Sequence, residues 1–225
     1  MAPPQSQKRS LSRWLTIIGV IIGALMPIVY LIDQKLESFY IFDPSELHDL
    51  AKRSIKAHGN DTRAMVNDIV SELHAEYPNN VNLDEEWIFN NAGGAMGAMY
   101  IIHASLTEYL IIFGTAVGTE GHSGRYAANN YFHILTGEQW AYTPGNFTPE
   151  IYPPGSMNLL PRGSVKQYKM PEGCFALEYC RGWIPLMLFF GFADGLVSTL
   201  DFITLWRTTF VTGREMIGNM LLGKF

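Results

Sequence analysis

Glu178 is the residue whose surroundings most narrow the chemistry this chain can perform. It stands in Phe175-Ala176-Leu177-Glu178-Tyr179-Cys180, a run with no other charge, where an ionised carboxylate without a partner is costly. Burial raises a carboxyl pKa. Such a group keeps its proton near neutral pH, can deliver it, and as the carboxylate then stabilises a cation formed beside it. A second carboxylate and a phenol, Glu108 and Tyr109, open the apolar run that reaches Val117. Strand alternation sends these two to opposite faces, so Tyr109 is expected inside and Glu108 in a structural role, bracing the turn around His122, Ser123 and Arg125. That turn, Gly118-Thr119-Glu120-Gly121-His122-Ser123-Gly124, has the composition of a tight, glycine-dependent loop. His103, His122 and His133 are scattered without a ligand spacing, and no metal is expected.

The elements that must position these groups follow from texture. From Trp87 to Trp183 the chain breaks into short β-rich runs between glycines and prolines: Met99 to Ser105, Tyr109 to Val117, Tyr131 to Leu135, Gln139 to Tyr142, Val165 to Tyr168 and Cys174 to Tyr179. Many short strands without intervening helices indicate an antiparallel sandwich or small barrel. In Tyr109-Leu110-Ile111-Ile112-Phe113 both faces are apolar, so one lines an interior and the other is covered. Before the strands, Asp43-Pro44 starts a helix with Leu47, Leu50, Ala51, Ile55 and Ala57 at helical spacing, and a second runs from Thr62 to Glu76 on Met65, Val66, Ile69, Val70 and Leu73. His48, His58 and His74 are read as solvated. The expected fold class is α+β.

The ends are greasier. Trp14 to Ile32 carries no charge and is long enough to cross a bilayer core of about 30 Å. Lys8, Arg9 and Arg13 precede it, while Asp33, Lys35 and Glu37 follow. The positive-inside bias then places the N-terminus in the cytosol and the remainder in a lumen, where the sequons at Asn60 and Asn146 would matter. After Pro185 the chain is very apolar but interrupted by Asp194, Asp201, Arg207, Arg214 and Glu215. That frequency of charge argues against a second span and for two amphipathic helices lying in the interface, with Phe189, Phe190, Phe192, Leu205, Trp206 and Phe210 toward lipid or substrate. The expected organisation is therefore a tail and transmembrane anchor over 1–35, helices and barrel over 36–183, and membrane-associated helices over 184–225.

The 225 residues are 48% hydrophobic and only 16% charged, which suits a lipid-facing surface. A net charge of -5 and a pI near 5.7 argue against nucleic acid as a partner. Cys174 and Cys180, about 20 Å apart if they share one extended strand, are beyond disulfide reach and are read as small buried hydrophobes.

His103 to Tyr126, together with Gly93-Gly94-Ala95-Met96-Gly97-Ala98-Met99 and Ala176-Leu177-Glu178-Tyr179-Cys180-Arg181-Gly182-Trp183-Ile184-Pro185, resembles the fungal sterol Δ8-to-Δ7 isomerase family and its relative, the mammalian sigma receptor. The resemblance implies a cupin-like barrel and a cofactor-free isomerase of ergosterol-type sterol synthesis, single-pass in the endoplasmic reticulum membrane with the barrel lumenal. It also implies homotrimers through the barrel surface. Glu178 matches the family's essential glutamate, and Tyr109 the position whose hydroxyl bonds it. Asn130 would be the remaining catalytic partner, and Met99, Ile101, Ile111, Phe113, Phe132, Leu188 and Gly191 would line the sterol site. Expected partners are the sterol, cationic amphiphilic amines as inhibitors, and membrane lipid. The chain departs from the family's pattern in carrying Asn129-Asn130 where an Asp-Asp pair is usual and Asn158-Leu159 where a His-His pair is usual. Phe132 stands where the sigma receptor has an aspartate. An amide can hydrogen-bond Glu178 but exchanges no proton near neutral pH. The alternatives are a non-catalytic, sigma-receptor-like binder of sterols and cationic amphiphiles, and a scaffold whose barrel is only a packing module.

Overall fold

The computed structural model describes residues 5–225, so the first four residues of the expected tail lie outside it. The chain divides into a unit ending at Phe39 and a second unit, Tyr40–Phe225. In the first, α1 (Gln5–Asp33) includes a 21-residue stretch, Arg13–Asp33, with mean hydropathy 2.6, long and apolar enough to cross a membrane. Trp14, Ile17, Ile21, Leu25 and Tyr30 are all exposed along it, which makes this helix a candidate membrane span.

In the second unit, α2 (Pro44–His58) begins where the Asp43 carboxylate accepts from the Ser45 N–H at 2.7 Å and the Glu46 N–H at 3.3 Å, with proline at its first position. The α3 helix (Thr62–Glu76) is capped by Asp61, which accepts from the Ala64 N–H at 3.0 Å. Their buried stripes are Leu47, Leu50 and Ala51, then Met65, Val66, Ile69, Val70 and Leu73; of the positions the spacing predicts, Ile55 is only half-buried and Ala57, in the last turn of α2, is exposed. The three helical histidines differ from expectation: all are half-buried. His48 meets His133 with its Nδ1 at 3.3 Å, and His58 pairs with Asp68 at 3.4 Å. Each sits on the margin of the stripe facing the sheet or the other helix, where spacing alone does not separate covered from open positions.

Ten strands follow: β1 (Trp87–Ala92), β2 (Ala95–Ala104), β3 (Glu108–Thr115), β4 (Thr119–His122), β5 (Ala128–Thr136), β6 (Gln139–Tyr142), β7 (Glu150–Tyr152), β8 (Met157–Leu160), β9 (Gln167–Met170) and β10 (Cys174–Gly182). They form two antiparallel sheets, ordered β1-β2-β3-β10-β5-β8 and β4-β9-β6-β7. Strands β1, β4, β7 and β8 have no counterpart in the sequence pattern. They are three to six residues long with mixed exposure, and each owes its extended form to pairing with a neighbour rather than to its own composition. The β1-β2 hairpin closes through Gly93 and Gly94, with φ of 64° and 82°. A two-residue turn that keeps the strands' twist needs φ above zero at both positions.

Period-2 alternation assigns the two faces of the larger sheet. Tyr100, Ile102, Leu110, Ile112, Tyr131, Leu135, Leu177 and Tyr179 pack on α2 and α3. Met99, Ile101, Tyr109, Ile111, Phe113, Ala176 and Cys180 point the other way, toward β9 and the C-terminal helices α4 (Ile184–Val197) and α5 (Phe202–Leu221). Cys174 and Cys180 are buried free thiols.

Three polar ties hold α4 and α5 to the β1-β2 side. Arg207 forks onto Glu86 at 2.8 and 2.5 Å, Arg214 reaches Asp84 at 3.0 Å, and Asp194 accepts from the Gly94 N–H at 2.8 Å. Phe189, Trp206 and Phe210 remain exposed, whereas Phe190 and Phe192 turn inward. Glu108 keeps its expected structural role on the face opposite Tyr109 but not its expected partners. It is fully buried and lies away from the turn around His122, Ser123 and Arg125. It accepts from the Ile41 and Phe42 N–H groups and the Tyr179 hydroxyl, and pairs with Lys224 at 2.6 Å. Alternation put it on the helix-covered face, and only the return of the C-terminus brings a lysine to that face.

Candidate active site

Glu178 sits in the middle of β10, between β3 and β5, opposite Ile111 on one side and Phe132 on the other. The surface it retains lines two small cavities, of about 60 and 70 Å³. Burial pushes its carboxyl up to about 7, opposed by the hydrogen bond from Asn130 and the weaker contact from Cys180. The Asn130 Nδ2 donates to Glu178 Oε1 at 2.7 Å, and the Cys180 Sγ lies 3.8 Å from the same oxygen. This carboxyl keeps its proton to near neutral pH, faces walls of mixed apolar and neutral polar side chains, and has a neutral amide as its strong partner. It can donate a proton and afterwards stand as an anion beside a positive carbon.

Asn129 and Asn130 part company by alternation. The Asn129 Oδ1 accepts from the Arg162 N–H at 2.8 Å, while Asn130 points to Glu178. Tyr109 lines the 70 Å³ cavity with Glu178, but its hydroxyl pairs with Thr212 Oγ1 at 3.3 Å and contacts Met99 Sδ at 3.9 Å. The bond to Glu178 that the resemblance implies is thus replaced by one to α5, because the neighbouring strand already supplies Asn130. Burial holds the Tyr109 phenol well above its usual range, so it is a neutral donor.

Met99, Ile111, Leu188 and Gly191 line the 70 Å³ cavity, and Phe113 and Phe132 the other. Ile101 belongs to the same apolar cluster but lines neither cavity. Both cavities fall below the roughly 300 Å³ of a small-molecule site. A fused-ring ligand fits only when inward side chains of α4, Leu188 and Phe190 among them, withdraw.

Tyr126, Gln139, Asn158 and Tyr168 share the 60 Å³ cavity with Glu178. Asn158 stands out in the sequence as a departure from the family's pattern. Gln139 and Tyr168 carry no such signal, since they reach the site from the smaller sheet.

Residues 19–224 match the family described as "ERG2 and Sigma1 receptor like protein". The chain belongs to this family. The C-8 sterol isomerase of Pyricularia oryzae is 66% identical over 96% of this chain and 98% of its own length. That of Neurospora crassa is 66% identical over 96% and 85%. The sigma non-opioid intracellular receptor 1 of Gallus gallus is 39% identical over 87% and 88%. Among solved structures, an RmlC-like cupin from Shewanella frigidimarina aligns over 45% of this chain and 89% of its own, with TM-score 0.38 and 13% identity. That likeness is too remote to say more of this chain. The fungal side of the ERG2 and Sigma1 receptor like proteins lies far nearer to it in sequence than the receptor side.

Proposed function

We infer that this chain is a cofactor-independent sterol isomerase that moves the Δ8 double bond to Δ7 in ergosterol-type synthesis. The near-complete likeness to C-8 sterol isomerases supports the reaction. The observation that carries the mechanism is a desolvated Glu178 carboxyl, pushed up to about 7, with an amide on its oxygen and its open side on a cavity. Glu178 gives its proton to C9 of the C8=C9 double bond. The bond's electron pair forms the new C–H bond and leaves a tertiary cation at C8 beside the carboxylate. Loss of a proton from C7 forms C7=C8, and that proton re-forms the acid. Asn130 orients the carboxyl and offsets part of its burial cost, and Tyr109 with Thr212 holds α5 over the cavity. Met99, Ile101, Ile111, Phe113, Phe132, Leu188 and Gly191 shape the ring site, the last two from α4.

Cationic amphiphilic amines bind the same place as inhibitors, since an ammonium imitates the cation beside Glu178. The anchor crosses the endoplasmic reticulum membrane once with the barrel lumenal, dividing the chain into 1–35, 36–183 and 184–225. The exposed Phe189, Trp206 and Phe210 of α4 and α5 rest in membrane lipid. Copies assemble as a homotrimer through the apolar groove on the edge strand β1, about 970 Å³ and lined by Trp87, Phe89, Met96 and Val117.

Expression in cells lacking their own sterol isomerase, followed by sterol profiling, tests the reaction. The wild-type chain is expected to clear Δ8 sterol. Glu178→Gln should lose turnover by about 10²-fold or more, the scale of a lost acid-base group, with expression intact. Persistent Δ8 sterol with a folded wild-type chain would reject the enzyme and leave the non-catalytic binder or the scaffold, which saturable binding of a cationic amphiphilic amine separates.

A further inference from the structure

We propose that Asn158 and Gln139 form the subsite that receives the hydroxyl group of the sterol substrate, and so decide which way round it lies. The proposal rests on the sterol reading above. Asn158 and Gln139 are 5% and 1% exposed, and the Asn158 Nδ2 donates to Gln139 Oε1 at 2.7 Å. Among the described residues the Asn158 Oδ1 has no partner, nor has Oδ1 of Asn130, and both side chains line the cavity that Glu178 shares. Buried polar atoms left this way are costly, and two orphans around one small space mark a place built for a polar visitor. A hydroxyl is donor and acceptor at once, so it would satisfy either end of the Asn158 amide.

Register supplies the geometry. Glu178 pairs with Phe132, and Phe132 with Asn158, placing acid and amide on one row across β10, β5 and β8. Two strand spacings put their backbones about 9–10 Å apart. With both side chains reaching into the same cavity, that span suits the separation between ring A of a sterol, where its hydroxyl stands, and the double bond in mid-nucleus. Beyond Glu178 the other cavity is lined mainly by apolar side chains, Met99, Ile111, Met187 and Leu188 among them, with Asn90, Tyr109 and Thr208 at its polar points. The paired amides Asn158 and Gln139 therefore lie at one end, the more apolar walls at the other, and the acid between them. The sterol lies with its hydroxyl at Asn158 and its alkyl tail toward α4.

The test compares kcat/KM for a Δ8 3β-hydroxysterol and its 3-deoxy analogue, using the full chain in detergent micelles. The wild type is expected to favour the hydroxysterol by at least about tenfold, since a site built to bond a hydroxyl discriminates against its absence. Asn158→Leu should remove that preference by slowing the hydroxysterol alone. Gln139→Met, which takes away the group orienting Asn158, should reduce it in part. A wild-type ratio near one overturns the proposal before any variant is made, as does an equal loss on both substrates in Asn158→Leu. Failure of the acid-base reading looks different: Glu178→Gln would then still turn over both sterols.

Discussion

At the scale of single residues, a raised carboxyl pKa ties structure to rate. Glu178 titrates near 7 when folded and at 4.5 in its ordinary state, so the folded chain holds more protons between these values. Stability therefore falls as pH rises through that window, and the penalty is complete above it. Turnover needs the protonated form. The expected kcat/KM is flat at low pH and falls about tenfold per pH unit above 7, readable in a pH-rate profile. Asn130→Asp would place two carboxyls on one oxygen-to-oxygen contact, where both cannot ionise together. The falling limb should move to higher pH in that variant. Asn129→Asp, which faces the Arg162 N–H instead, should leave the profile in place. Both asparagines stand where the family's pattern has acids, and the structure gives Glu178 the one named as its catalytic partner, Asn130.

At the scale of elements, the C-terminus is held by a charge buried on the helix-covered face of the larger sheet. Lys224 and Glu108 are 7% and 0% exposed at their side chains and meet at 2.6 Å. Asn219 adds bonds to Asn80 at 2.7 Å and to the Ala104 carbonyl at 3.0 Å. Burial lowers the Lys224 ammonium, with Glu108 opposing. Removing one partner strands the other charge, so Lys224→Met should cost about 3–5 kcal/mol. The loss would appear as a lower Tm in detergent, and Lys224→Met combined with Glu108→Gln should regain part of it. Glu108 was legible as the outward-alternating neighbour of Tyr109. Its partner was not, because 115 intervening residues separate Glu108 from Lys224 in the chain and only the return of α5 joins them.

At the scale of the whole molecule, the proposed lumenal placement has a chemical reporter. Asn60 and Asn146 both lie in exposed turns, reachable by a glycosyl transferase on that side of the membrane. Treatment with an endoglycosidase is expected to shift the chain's mobility, and Asn60→Gln with Asn146→Gln should abolish the shift. An unmodified chain from cells that glycosylate other lumenal sequons would count against the orientation.

Local chemistry determined much of this protein in advance. A charge-free run of 19 residues specifies an apolar helix by length alone, helical stripes specify α2 and α3, and one carboxylate in an apolar strand specifies a strained acid. These follow from periods and transfer energies, which are properties of neighbours in sequence. Tertiary structure decided the rest. It chose Asn130 over Tyr109 as the partner of Glu178, set Asn158 and Gln139 into the same cavity, and made strands of β1, β4, β7 and β8. Each of those outcomes depends on which segments become neighbours in space, and hydrogen-bond pairing between distant strands has no signature in either segment by itself.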